Sequence, residues 1–177
     1  MSNVQEPDIR QGSNPEETFR KAVIEAIRNL LKQKRIDGSL VEYFILQNFG
    51  LDIAVFMKWW PNNRFTVRFF ELKAFVGSRQ GGVGFGNPQG KGPQVDILLL
   101  KNSQLNLANQ FIRWLLVDGT MSKGSRRFVI FDNIKAKEAA MGEVRRGKQN
   151  NFRINDLVSN AKNWNDFLKE LEEFLTS

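Results

Sequence analysis

Apolar residues near the start of the chain recur at helical spacing: Phe19, Ala22, Val23, Ala26, Ile27, Leu30 and Leu31 share one stripe. Asn14 stands where an N-cap belongs, Pro15 suits the first helical position and Glu17 completes a capping box, so a helix is expected from there to about Asp37-Gly38. Residues 1–13 are polar and aperiodic and read as a flexible tail. From Val41 β-favouring residues dominate to Trp60, then Pro61-Asn62-Asn63-Arg64 reads as a turn, and 65–76 as the returning strand of a hairpin. A third strand is expected at 95–100, where Ile97-Leu98-Leu99-Leu100 is apolar on both faces. Asn102 or Ser103 is expected to cap a second helix running to about Asp118-Gly119, with Leu105, Ala108, Ile112, Leu115 and Leu116 inward. A short strand at 128–131 and an amphipathic helix at 156–176, carrying Trp164, Phe167, Leu168, Leu171, Phe174 and Leu175, close the pattern. That order describes an α/β domain with a central mixed sheet of four or more strands flanked by helices.

At 177 residues and 41% hydrophobic content the chain suits a single domain over 14–177, with its core at 14–131, able to bury roughly 70% of its unfolded surface. There is no histidine and no cysteine, which excludes Ser-His-Asp and Cys-His catalysis, His/Cys zinc sites, haem and iron-sulfur ligation and disulfides. Chemistry must therefore use carboxylates, lysine, hydroxyls or an oxygen-held metal. The formal charge is +7, and most of the excess falls in 120–153, where Lys123, Arg126, Arg127, Lys135, Lys137, Arg145, Arg146, Lys148 and Arg153 face only Asp132, Glu138 and Glu143. Such a run is either a solvated face or a surface for a polyanion. No stretch approaches the roughly 20 apolar residues that span a bilayer and no apolar leader is present, so a cytoplasmic protein with no membrane association is expected.

Seven of the fourteen glycines lie in 77–92, among Arg79, Gln80, Asn87, Gln89 and Lys91 and without an acidic residue, so no regular element is expected there. The segment fails as a P-loop, because Gly92 follows Gly90-Lys91 where Ser or Thr is needed. It fails as a dinucleotide fingerprint because Pro88 and Pro93 forbid the receiving helix, and no nucleotide cofactor is expected. It reads as a cationic, amide-rich loop, either a phosphate clamp or a plain connection.

Two stretches place charges inside apolar runs: Leu51-Asp52-Ile53-Ala54-Val55 and Phe69-Phe70-Glu71-Leu72-Lys73-Ala74-Phe75. Glu71 and Lys73, two apart, project from one sheet face. A two-residue turn at Asn62-Asn63 would set Asp52 opposite Lys73 and Ala54 opposite Glu71, leaving the two carboxylates on the diagonal at roughly 7 Å. Stranded charges in an apolar sheet cost several kcal/mol per ion unless they pair or hold a metal. Mg²⁺, with Mn²⁺ as substitute, suits such an oxygen set. A lysine whose pKa is depressed by desolvation and the cation would position or deprotonate water. The alternative is an Asp52–Lys73 salt bridge with Glu71 solvated.

Asp52 followed nineteen residues on by Glu71-Leu72-Lys73, each on a hairpin strand after an initial helix, resembles the D...(D/E)-x-K signature of the PD-(D/E)XK nuclease superfamily, whose fold is restriction-endonuclease-like. Leu51 replaces the proline of the motif's name. The resemblance covers about 14–131 and implies that Asp52 and Glu71 hold the divalent ion while Lys73 acts on the attacking water, all three being catalytic. Asp96 is a further ligand or outer contact to consider, and Glu16 or Glu25 would be the first-helix carboxylate, with nothing local to select one. The expected activity is metal-dependent endonucleolytic hydrolysis of double-stranded DNA, and homodimers are common among such enzymes. Arg79, Gln80, Lys91, Lys123, Arg126, Arg127, Arg145, Arg146 and Lys148 are the expected nucleic-acid contacts. For Trp59-Trp60, core or dimer packing is preferred to base stacking. The rival expectations are a non-catalytic DNA-binding module and a subunit of a larger nucleoprotein assembly.

Overall fold

The computed structural model describes residues 4–9, 14–36, 41–77 and 82–177. Helix α1 (Pro15–Ile36) starts as expected, with the Asn14 Oδ1 accepting the Glu17 N–H at 3.2 Å, and its stripe of Phe19, Val23, Ala26, Ile27, Leu30 and Leu31 is buried. The expected first strand is two strands, β1 (Val41–Phe49) and β2 (Leu51–Trp59), antiparallel about Gly50. Asn48 and Gly50 reverse the chain with φ of 56° and 79°, a turn that the β-favouring residues on either side conceal.

Strand β3 (Arg64–Phe75) follows the expected turn, but Trp59 pairs with Arg64 and Ile53 with Phe70. The connection thus takes four residues, Trp60 to Asn63. The two-residue turn would have put Pro61 in the ladder opposite Arg64, where it has no N–H to donate. The slip is by two, so no side chain changes face.

The apolar run at 97–100 is not a strand. Gly92-Pro93 opens α2 (Pro93–Leu98), whose buried residues Val95 and Leu98 stand three apart while Leu99 is exposed. The second helix, α3 (Asn102–Ala108), ends ten residues earlier than expected, and 112–118 form β5 (Ile112–Asp118). Trp114 and Leu116 are buried on one face of β5 and Leu115 and Val117 on the other, the two-sided burial expected of the wrong run. The glycine-rich segment contains a strand, β4 (Val83–Phe85), which pairs with β7 (Asn150–Phe152) because Phe85 and Phe152 stack at 4.3 Å in the core. Strand β6 (Arg127–Phe131) lies where expected, and α4 (Asn133–Glu138) follows it. The C-terminal helix is two, α5 (Ile154–Val158) and α6 (Trp164–Thr176), separated because the Lys162 backbone pairs with Phe128 and Asn163 caps α6.

The five-stranded sheet runs β1-β2-β3-β5-β6, with β3 and β5 parallel and the other pairs antiparallel. One face carries Ile53, Val55, Phe70, Leu72, Leu115 and Val117 under α1 and α6. The other carries Phe75, Trp114, Leu116, Val129 and Phe131 under α2, α4, α5 and the β4–β7 pair. Residues 4–9, expected in the tail, are laid onto the first layer: Val4 and Ile9 are buried, and the Trp164 Nε1 donates to the Val4 carbonyl at 2.8 Å. Among the described residues no helix is long and apolar enough to cross a membrane.

Candidate active site

Period-two alternation sends Asp52 of β2 and Glu71 and Lys73 of β3 to the second sheet face, beside the N-terminus of α1. The observed register sets Asp52 beside Glu71 rather than opposite Lys73. The Leu72 N–H donates to Asp52 Oδ2 at 2.8 Å, which fixes that carboxylate against β3. Arg20 of α1 reaches Asp52 Oδ1 at 3.3 Å and also holds Glu17 at 3.0 Å and Asn48 at 3.1 Å, tying helix, turn and carboxylate together.

Glu71 is 1% exposed. Its Oε1 accepts Lys73 Nζ at 2.7 Å and Gln94 Nε2 at 2.9 Å, while its Oε2 is buried without a hydrogen-bond partner. Lys73 Nζ lies 3.8 Å from Glu16 Oε2, so Glu16 is the first-helix carboxylate brought to the cluster, and Glu25 stays on the exposed side of α1. Gln94 was not foreseen, because its element was expected to be a strand; Gly92-Pro93, a helix start, was the available signal. Asp96 is not brought in: it sits exposed in the first turn of α2, with Oδ1 bonded to Arg146 Nε at 3.0 Å and Nη2 at 2.8 Å.

Burial pushes the Glu71 carboxyl up to about 7, aided by the Asp52 charge and opposed by Lys73. Glu16 is raised for the same first reason. For Lys73 burial acts downward, but the carboxylates of Glu71 and Glu16 outweigh it and its pKa is raised. The expected depressed lysine is thus an ammonium held between two acids. It neutralises the cluster and donates hydrogen bonds.

The unpartnered Glu71 Oε2 is a hard, buried acceptor of the kind a small divalent cation satisfies. Among the described residues no group of three or more acidic side chains is arranged to hold an ion. Asp52 and Glu71 are the two carboxylates that could hold such an ion, the number Mg²⁺ commonly takes alongside water and phosphate oxygens.

The basic residues do not form one surface. Arg126 is buried, donating to the carbonyls of Pro7 at 2.9 Å and Ile9 at 2.8 Å, with Glu6 and Asp8 each at 3.4 Å. It clamps the N-terminal segment to the core, and a nucleic-acid contact by this side chain is ruled out by its burial. Lys123 and Arg127 are exposed at the β5–β6 hairpin, where β5 passes beside the end of β3. Arg145, paired to Glu143 at 2.6 Å, Arg146 and Lys148 are exposed on the loop before β7. Exposed Lys91 joins them, because Gly90 packs so tightly that a Cβ there would collide with the Lys148 backbone. The turn holding Lys91 is set by the Asn87 Oδ1, which accepts its N–H at 2.8 Å. It leads directly into α2 and Gln94, so these cations flank the carboxylate cluster. Arg79 and Gln80 lie outside the described residues. Trp59 is a core residue, its Nε1 bonded to Thr66 at 2.9 Å.

Comparison with known protein families, with curated proteins and with solved structures finds no match to this chain.

Proposed function

We propose that this chain is a metal-dependent endonuclease that hydrolyses phosphodiester bonds of DNA, on a restriction-endonuclease-like arrangement of helix, antiparallel strands, helical crossover and parallel strand. The observation that carries the reading is the meeting of Asp52, Glu71 and Lys73 in one cluster on one sheet face, with a buried Glu71 oxygen left without a donor. Asp52 and Glu71 would hold Mg²⁺ or Mn²⁺. An ion held there would supply Lewis-acid polarisation of the phosphodiester and charge neutralisation. Lys73, kept protonated by Glu71 and Glu16, presents its ammonium beside the same point and orients the groups that meet there. Gln94 holds Glu71 Oε1 in place, leaving Oε2 free to ligate. Exposed Lys91, Arg146 and Lys148 on one side and Lys123 and Arg127 on another would neutralise phosphates.

The test is plasmid cleavage with Mg²⁺ or Mn²⁺, with and without chelator. Glu71→Ala and Lys73→Ala should each abolish cutting with DNA binding retained, and metal-independent or undiminished cutting would overturn the assignment. One observation favours a second reading: Lys73 already bridges Glu71 and Glu16, which compensates the buried charge without any ion. A non-catalytic DNA-binding module built this way binds DNA in the same assay and leaves it uncut.

A further inference from the structure

We propose that the free edge of β1 is a homodimer interface, on which a second copy of this chain pairs antiparallel about a two-fold axis near Ile45. The inference stands apart from the nuclease reading. Strand β1 is the outermost of the five-stranded sheet and pairs only with β2 among the described strands. Its nine residues, VEYFILQNF, contain no proline, lysine or arginine, the devices that usually keep an open edge from recruiting another strand. Side chains of that edge strand are also left in water: Phe44 is 56% exposed and Leu46 37%, and two strands in on the same face Phe65 is 74% exposed. These share the sheet face on which Phe44 stacks on Phe56 at 4.6 Å and Phe56 meets Phe69 edge-on at 6.5 Å.

An edge whose outer N–H and C=O groups meet no second strand among the described residues, with apolar flanks, calls for an extended polypeptide rather than a nucleic acid. The face also offers little to phosphate: its cation, Lys58, lies over the Trp60 ring at 4.0 Å, and Glu42 stands next to it in the ladder. The same strand supplies the complement. Antiparallel pairing centred on Ile45 uses all nine residues and sets Phe44 against Leu46 of the second copy. It sets Glu42 against Asn48, so no like charges meet, although each copy carries +7.

The area sets the expected strength. At about 200 Å² per ring, Phe44 leaves roughly 110 Å² in water. An edge about 30 Å long and about 10 Å deep adds roughly 300 Å² per copy. That falls short of the roughly 800 Å² per partner of a standard stable interface, so the dimer is weak and concentration-dependent.

Sedimentation velocity of the full chain, from about 1 to about 500 μM, reads this directly. Dimer should accumulate with concentration, and Phe44→Asp and Leu46→Lys should each move the midpoint upward roughly tenfold or more. Leu107→Asp, at an exposed position of α3, should leave it in place. Circular dichroism verifies that each variant folds, and either edge variant alone decides if the other does not. A monomer throughout, or a dimer unchanged by the edge variants, overturns the proposal. So does a monomer that captures a single-stranded oligonucleotide through Phe44, which would assign the face to bases.

Discussion

Replacing Glu71 by glutamine should stabilise the metal-free protein above neutral pH and do little below pH 4.5. The carboxyl is almost fully buried, and burial lifts its pKa from 4.5 to about 7. Below 4.5 both folded and unfolded forms hold the proton, and the group contributes nothing. Between 4.5 and 7 the unfolded chain releases it first, so stability drains as pH rises, and above 7 the full penalty stands. At roughly 1.36 kcal/mol per pH unit this interval is worth about 3 kcal/mol, or some 6 to 12 °C in Tm for a domain of this size. Glutamine keeps an oxygen for the Lys73 bond at Oε1, and Glu16 at 3.8 Å still holds Lys73 charged. Thermal melts of wild type and Glu71→Gln in chelator at pH 4 and pH 8 read the difference. Equal melting temperatures at pH 8, or a gain that persists undiminished at pH 4, would refute the reasoning.

Three further expectations follow from the same structure. Arg126→Met removes the donor for the Pro7 and Ile9 carbonyls and should destabilise by about 2 to 5 kcal/mol in denaturant titration, where a surface cation would register almost nothing. Gly90→Ala forces a methyl group into the Lys148 backbone at φ 62° and should cost about 2 kcal/mol or more, while weakening DNA binding by parting Lys91 from Lys148; unchanged affinity would separate those cations from the binding surface. Gln94→Leu strips a donor from Glu71 Oε1, so the acid limb of the cleavage pH profile should move to higher pH, and a stationary limb would remove Gln94 from the site.

What was legible in the residues was what short-range spacing decides. The Asn14 cap and the apolar stripe fixed α1, and period two fixed the shared face of Glu71 and Lys73. Even the mistaken register left Asp52 on that face, because the slip was by two residues. Short apolar runs were the weak point. Ile97-Leu98-Leu99-Leu100 and Trp114-Leu115-Leu116-Val117 look alike in composition, and only packing makes the first helical and the second a buried strand. Nor does local pattern reveal partners distant in sequence. Arg126 is 117 residues from the Ile9 carbonyl it serves, and Gln94 is 23 from Glu71. The first could not be told from a surface cation, and the second could not be told from a loop amide.

The bond from Trp164 to Val4 spans 160 residues, and the layer that contains it draws on both α1 and α6. During synthesis α1 and the sheet it packs on emerge early, yet the part of that sheet face beside α1 has no lid until α6 leaves the ribosome. A nascent chain halted before residue 164 therefore lacks the α6 rings that cover Phe19, Phe70 and Phe128, leaving a sticky surface for chaperones or for aggregation. Truncations that spare every residue of the Asp52–Glu71–Lys73 cluster but remove α6 should accordingly accumulate as insoluble material.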